Sequence, residues 1–391
     1  MRDGWTEFQL GDLCRLVKGT SPTQKTLPGE YPLIVTAAEP LTSDSYQIDD
    51  EAVCVPMVSS TGHGHASLKR LHYARGKFAV ANIIVACIVK DRALCDTRYL
   101  WLYLQERKDE VLVPRMQGTA NVSLSQRELA KVPVLLPSIL QQRRIVDLIG
   151  ALDEAIEAAD GVSDACSTLL GSILDAHVSD GSLPLKDLAS VKSGASWGAA
   201  DGSSLPGEGF RPVLTIVNTR PGGAVELTER TYVRGLSERA ATLTSDSLVM
   251  IRTNGNRGRI GNIYRTPAEV VGDSVSAFQF VIEPRDVHLR DYLYWVMQAP
   301  TRQSAISSAA SGSTGLGNIA AGWLNEMNIP WSEHIEREVF IGICNAAGSA
   351  VESAIEYAAS VRSTRTNLLT ALLSGEHEIP SSYDKHLGAI A

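Results

Sequence analysis

Two stretches of the chain repeat small or apolar residues in alternating steps of four and three. The first runs through Ile145, Ile149, Leu152, Ile156, Ala159, Ser163, Cys166, Leu170 and Ile173. The second runs through Cys344, Ala347, Val351, Ala354, Ala358, Val361, Arg365, Leu368 and Leu372. That alternation is a coiled-coil seam, and it predicts long helices within 138–179 and 332–375. Gly161 and Ser163 weaken the first seam and Arg365 the second, while the small residues favour close backbone approach. Between these stretches the pattern changes to short β-rich runs bounded by turn residues, for example 31–36, 77–89, 212–217 and 247–252. Helical patterns follow at 98–107 and 289–298. The near-apolar run 78–89 is interrupted by Asn82 and is shorter than the ~20 residues of a membrane span, so it suits a buried strand.

The elements recur in order, which points to a duplication. Leu10 to Gly19 lines up with Leu185 to Gly194, sharing Leu, Asp, Leu, an aliphatic and Gly. Tyr99-Leu100-Trp101 answers Tyr292-Leu293-Tyr294. Gly118, Asn121 and Val132-Pro133 are matched with Gly315, Asn318 and Ile329-Pro330. Each mixed region ends at a proline-marked boundary and gives way to a seam helix. The expectation is an α+β chain with mixed regions at 1–137 and 180–331, spacer helices at 138–179 and 332–375, and a tail at 376–391. Two such helices at the ends of similar halves suggest antiparallel pairing with each other. The residues leave open two unrelated amphipathic helices, each packed on its own domain.

Composition is that of a globular protein: 391 residues, 44% hydrophobic and 20% charged. The net charge of −8 argues at first against a nucleic-acid partner. Its distribution changes that reading, because 1–137 is net +1 and 180–331 net 0, whereas 138–179 is −5 and 332–391 is −4. Acidic helices suit spacing and protein docking, and neutral mixed regions leave room for local basic faces. Met1 to Leu10 carries Asp3 and Glu7 and no apolar signal core, and the six cysteines form no C-x-x-C pair. Reduced thiols in a cytoplasmic protein without a membrane partner are therefore expected.

Catalytic patterns are missing from the sequence. It has no G-x-x-x-x-G-K-[ST] phosphate loop, no Asp/Asn-Pro-Pro-aromatic run and no H-E-x-x-H or C-x-x-C metal pattern. Gly255, Gly258 and Gly261 are spaced like a dinucleotide loop but lack the helix that should follow. His63 and His65 have no nearby metal-ligating companions, and Ser59-Ser60-Thr61 lacks a nucleophile-elbow context. A duplicated chain of this kind is expected to bind, not to react.

Leu135-Leu-Pro-Ser-Ile-Leu-Gln-Gln-Arg-Arg-Ile-Val146 resembles the helix entry of the specificity (S) subunits of type I restriction–modification systems. Leu368 to Pro380 resembles the C-terminal signature of that family, and Asp246 to Gly261 its strand–loop–strand element within a target-recognition domain. The second helix entry departs from the pattern, with Trp331 in place of Leu-Pro and no Gln-Arg-Arg-Ile after it. The resemblance implies a non-catalytic subunit that reads a split, asymmetric target in double-stranded DNA. It implies two methyltransferase subunits and ATP-driven restriction subunits as partners, with S-adenosylmethionine, ATP and Mg on those partners and no cofactor here. Two other readings remain open: service in a methylation-only or other defence system without a nuclease, and a structural coiled-coil adaptor. The first seam spans ~42 Å at ~1.5 Å per residue, comparable with one ~34–36 Å turn of DNA.

Base-reading candidates follow from side-chain chemistry. Arg252, Asn254, Asn256, Arg257 and Arg259 stand among glycines, and Arg suits guanine while Asn suits adenine. In the first half the comparable polar segment holds Ser59, Ser60, Thr61, His63, His65, Lys69 and Arg70. Thr119 and Asn121, with Ser313 and Asn318, lie in loops that suit either phosphate contacts or structural turns. Gln142, Arg143 and Arg144, at the head of the first acidic helix, are candidates for docking a methyltransferase subunit or for a plain solvated face.

Overall fold

The computed structural model describes residues 4–61, 64–119, 121–238, 240–312 and 315–387. It divides into one unit of residues 1–158 with 358–391 and another of 159–357. Two long helices, Ile139–Ala176 and His334–Leu373, each run from one unit into the other.

The first unit is built on a six-stranded sheet, in the order Cys14–Lys18, Ile84–Val89, Ile48–Pro56, His72–Val80, Tyr31–Ile34, Leu41–Ser43. Neighbours are antiparallel except Tyr31–Ile34, which runs parallel to the end of His72–Val80. The apolar run expected as one strand is two strands flanking Ile48–Pro56, because the chain turns at the polar Asn82. Every residue of Ile84–Val89 is buried. Alternate side chains point to opposite faces, so Val85 and Cys87 join one core while Ile84 and Ala86 join the other. The helix Thr97–Glu106 covers the first face, with Tyr99, Leu100 and Tyr103 in the core. Its start is fixed by Asp96, whose carboxylate accepts the N–H groups of Arg98 and Tyr99 at 2.8 and 3.0 Å.

The second unit repeats this plan with a split sheet. One part orders Ala189–Ser193, Gln279–Pro284, Leu248–Ile251, Ile263–Arg265; the other orders Gly202–Ser203, Thr231–Arg234, Phe210–Leu214, Ser274–Val275. Phe210–Leu214 runs parallel to Ser274–Val275, as Tyr31–Ile34 does to His72–Val80. Gly19 and Gly194 repeat one close contact: a Cβ there would sit 2.0 Å from the Ala81 oxygen and 2.1 Å from the Ser276 oxygen. Tyr99 donates to the Leu135 carbonyl at 3.0 Å and Tyr292 to the Pro330 carbonyl at 2.5 Å.

These bonds correct the repeat register. Leu10 N–H donates to Val132 O, and Leu185 N–H to Met327 O, both at 2.9 Å. Val132 therefore corresponds to Met327 and not to Ile329, and Pro133 and Pro330 are unrelated. Gln117 and Ser123 exchange backbone bonds, as do Ser311 and Asn318, so Gly118 corresponds to Gly312 and not to Gly315. The second loop is one residue longer, and alignment by residue type slipped across it.

Within the first unit, Ile145 and Ile149 share a core with Leu369, Leu372 and Leu373, and Arg365 meets Asp153 at 2.5 Å. Within the second unit, Leu174 joins Phe340, Ile341 and Cys344. Both contacts make the helices antiparallel, and no residue of either seam is fully exposed. Arg365, which breaks the apolar seam, is accommodated by the carboxylate opposite it. No helix among the described residues is long and apolar enough to cross a membrane. The cysteines are all free, and burial pushes the Cys14, Cys54 and Cys344 thiols up to about 12.

Candidate nucleic-acid interface

In the second unit the Arg/Asn segment leaves the strand Leu248–Ile251 and pairs, through Thr253–Asn254, with Gly317–Asn318. Two loops far apart in sequence thus form one surface. Thr253 Oγ1 donates to Asn318 Oδ1 at 2.7 Å, and Arg257 reaches Gly312 O at 3.4 Å. Side-chain carbonyls shape the turn: Asn254 Oδ1 accepts Asn256 N–H at 2.8 Å, and Asn256 Oδ1 accepts Gly258 N–H at 3.0 Å. Asn256 and Arg257 remain exposed.

The other two arginines are held inside the unit. Arg259 donates to Thr219 O and to Tyr264 Oη, which turns it away from a free base-reading position. Thr219 is itself presented by Asn218, which is 3% exposed. Asn218 accepts from Thr215 N at 3.0 Å and donates to Glu226 O and Glu229 O at 2.9 and 2.6 Å. Arg252 lies 5.1 Å over the Phe280 ring and donates to Ser193 Oγ at 3.2 Å. Arg259 is therefore a brace for the loop, and Arg252 is half-engaged. Nothing in the sequence distinguishes the buried Asn218 from an exposed asparagine.

The first unit pairs its loops in the same way. Ser59 N–H donates to Val122 O at 3.0 Å and Val58 bridges Ser123, so Ser59 occupies the place of Asn254. The segment closes on itself: Ser59 Oγ donates to His65 O at 2.5 Å, Thr61 Oγ1 to the same oxygen at 3.2 Å, and Ser60 Oγ accepts Lys69 N–H at 3.0 Å. Those three hydroxyls, expected to contact DNA, are used in holding the loop. His65, Lys69 and Arg70 are left exposed, beside exposed Thr119 and Asn121 in the companion loop. His63 and Ser313 lie outside the described residues. Among the described residues no cluster of three potential metal ligands occurs.

The expected partner-docking trio separates on burial. Gln142 is fully buried, donating to Leu94 O and Pro137 O at 3.0 and 2.9 Å while accepting Asp96 N–H at 2.9 Å. Arg144 is 8% exposed and holds the tail through Asp384 and Ile379 O. Neither is available to a partner, because both link the helix entry to its own unit. Only Arg143 is exposed.

Residues 2–161 match the model of the type I restriction modification DNA specificity domain. The chain is similar in fold to the S subunit of a type I restriction–modification system from M. genitalium, with TM-score 0.57, 15% identity, and 94% of this chain and 96% of that chain covered. It is also similar to a chain from a structure of complex assembly and conformational transition in the type I system, with TM-score 0.60, 13% identity and 95% and 98% covered. No curated protein sequence matches. Residues 2–161 thus resemble a type I specificity domain, and the whole chain shares the fold of these solved S-subunit structures, two mixed domains joined by long helices.

Proposed function

We propose that this chain, built on the type I specificity-subunit fold, reads a bipartite DNA target and carries no catalysis of its own. One observation carries the reading: each unit brings two polar, glycine-rich loops together at the same place on a repeated sheet. Their exposed side chains differ, with Asn256 and Arg257 in one unit and His65, Lys69, Arg70, Thr119 and Asn121 in the other. Different side chains at equivalent places read different base edges, so the two half-sites differ and the target is asymmetric. The glycines and Asx turns let the backbone approach the duplex, and the neutral domains keep sequence-blind phosphate attraction low.

The acidic helices space the two reading units and dock the partners. Two methyltransferase subunits bring S-adenosylmethionine, and restriction subunits bring ATP and Mg. Exposed Arg143 at the first helix entry is the residue assigned to methyltransferase docking. The test is coexpression with the cognate methyltransferase subunits, followed by long-read mapping of methylated adenines. The expected result is one two-part motif with an unread spacer, and none when this chain is omitted. Methylation at a continuous motif, or methylation that persists without the chain, contradicts it.

A further inference from the structure

The turn that precedes Gln279–Pro284 places an aromatic side chain beside the Arg/Asn loop. Phe278 is 45% exposed. Its carbonyl accepts the N–H groups of both Arg252 and Thr253, at 2.8 and 3.1 Å, so its backbone is bonded to the first residues of that loop. The turn is held on every side. Ala277 N–H donates to Ala195 O at 2.7 Å, Gln279 N–H to Ser276 O at 2.9 Å, and the buried Ser276 hydroxyl to Gln279 Oε1 at 2.8 Å. Gly194 presses against the Ser276 oxygen with no room for a Cβ.

The first unit has the same turn. Met57 N–H donates to Ile83 O at 2.8 Å and Ile84 N–H to Ala81 O at 2.9 Å, so Ile83 stands where Phe278 does. The side chains behave differently: Ile83 is half-buried against its own core, and Phe278 is exposed. The backbone of Phe278 is fixed by these bonds, and its side chain belongs to neither core of the unit. Next to side chains suited to guanine and adenine edges, it supplies the contact that polar groups cannot make.

We propose that Phe278 is a specificity-determining residue that reads the C5-methyl group of a thymine in the half-site bound by the second unit. The inference rests on the DNA-reading function proposed above. Apolar contact with that methyl separates thymine from the other bases in the major groove.

The test uses the complex of this chain with its methyltransferase subunits and its mapped target duplex. Each thymine of the two half-sites is replaced in turn by deoxyuridine, which removes only the methyl. The wild-type complex is expected to lose about fourfold in affinity at one thymine, the effect of one buried methyl. Phe278→Ala should show the same loss on the thymine duplex and no further loss on the deoxyuridine duplex, while Phe278→Leu keeps part of the discrimination. Unchanged melting of both variants establishes that the fold is intact. Neutral substitution at every thymine, absence of thymine from that half-site, or a penalty that persists in Phe278→Ala overturns the assignment. If a bipartite motif is still methylated in those cases, DNA reading stands and only the role of Phe278 falls; absence of any bipartite motif removes the function itself.

Discussion

Arg144 and Asp384 form a two-pronged ion pair, Nε to Oδ1 at 2.6 Å and Nη2 to Oδ2 at 2.8 Å, that ties the C-terminal tail to the head of the first long helix. The guanidinium holds the Asp384 carboxyl below its ordinary value of 3.8. A depressed carboxyl contributes stability that is present above its unfolded-state value and lost as pH falls through the folded one. Melting temperature of the wild type should therefore drop more steeply below pH ~4 than that of Asp384→Asn, which should melt lower than the wild type at pH 7. Parallel pH profiles for the two proteins would show that the pair carries no linkage.

Gly19 and Gly194 support the same crossing in the two units, and in both the obstacle to a side chain is backbone. Alanine at either should destabilise its unit by ~1–3 kcal/mol or more. Gly161, exposed in the first long helix with nothing within 4 Å of a Cβ, is the opposite case. Gly161→Ala should stabilise by ~0.5–1 kcal/mol through helix entropy. Denaturant unfolding of the three variants checks the contrast, and equal effects would contradict the packing argument.

Arg257 and Arg259 stand two residues apart with separate duties. Arg257→Ala should cost ~1–3 kcal/mol on the specific duplex, much less on random DNA, and leave melting unchanged. Arg259→Ala should lower melting temperature too, since it removes the brace to Thr219 O. Fluorescence anisotropy on both duplexes, with thermal melts, separates them. Equal loss on both duplexes would make Arg257 a phosphate contact.

The long helices were legible in the sequence because a seam leaves a period of its own, and both seams are turned inward. The polar loops were legible as glycine-rich breaks between strands. Their adjacency was not, since Thr253 and Asn318 meet across a separation of 65 residues. Side-chain roles failed for a related reason. Arg259 and Arg144 look like surface cations until Thr219 and Asp384 are placed beside them, and Ser59 looks like a DNA ligand until its hydroxyl is seen to donate to His65 O. The repeat register slipped because glycine and asparagine recur within one loop, whereas the hydrogen bonds around it do not.

Spacing offers a separate test. One heptad added to each long helix keeps both seams in phase and adds ~10.5 Å of helix, about three base pairs. Mapped methylation should keep both half-sites while the unread spacer grows, or be lost where DNA twist turns the far half-site away. Altered half-sites with an unchanged spacer would show that the helices do not set the distance.

The central claim is that each unit reads one half-site by itself. The direct measurement exchanges residues 180–331 for the matching region of another type I specificity subunit and maps methylated adenines alongside the wild type. The account predicts that one half-site is retained and the other replaced by the donor's. Replacement of both, or a methylated motif identical to the wild type's, would contradict it.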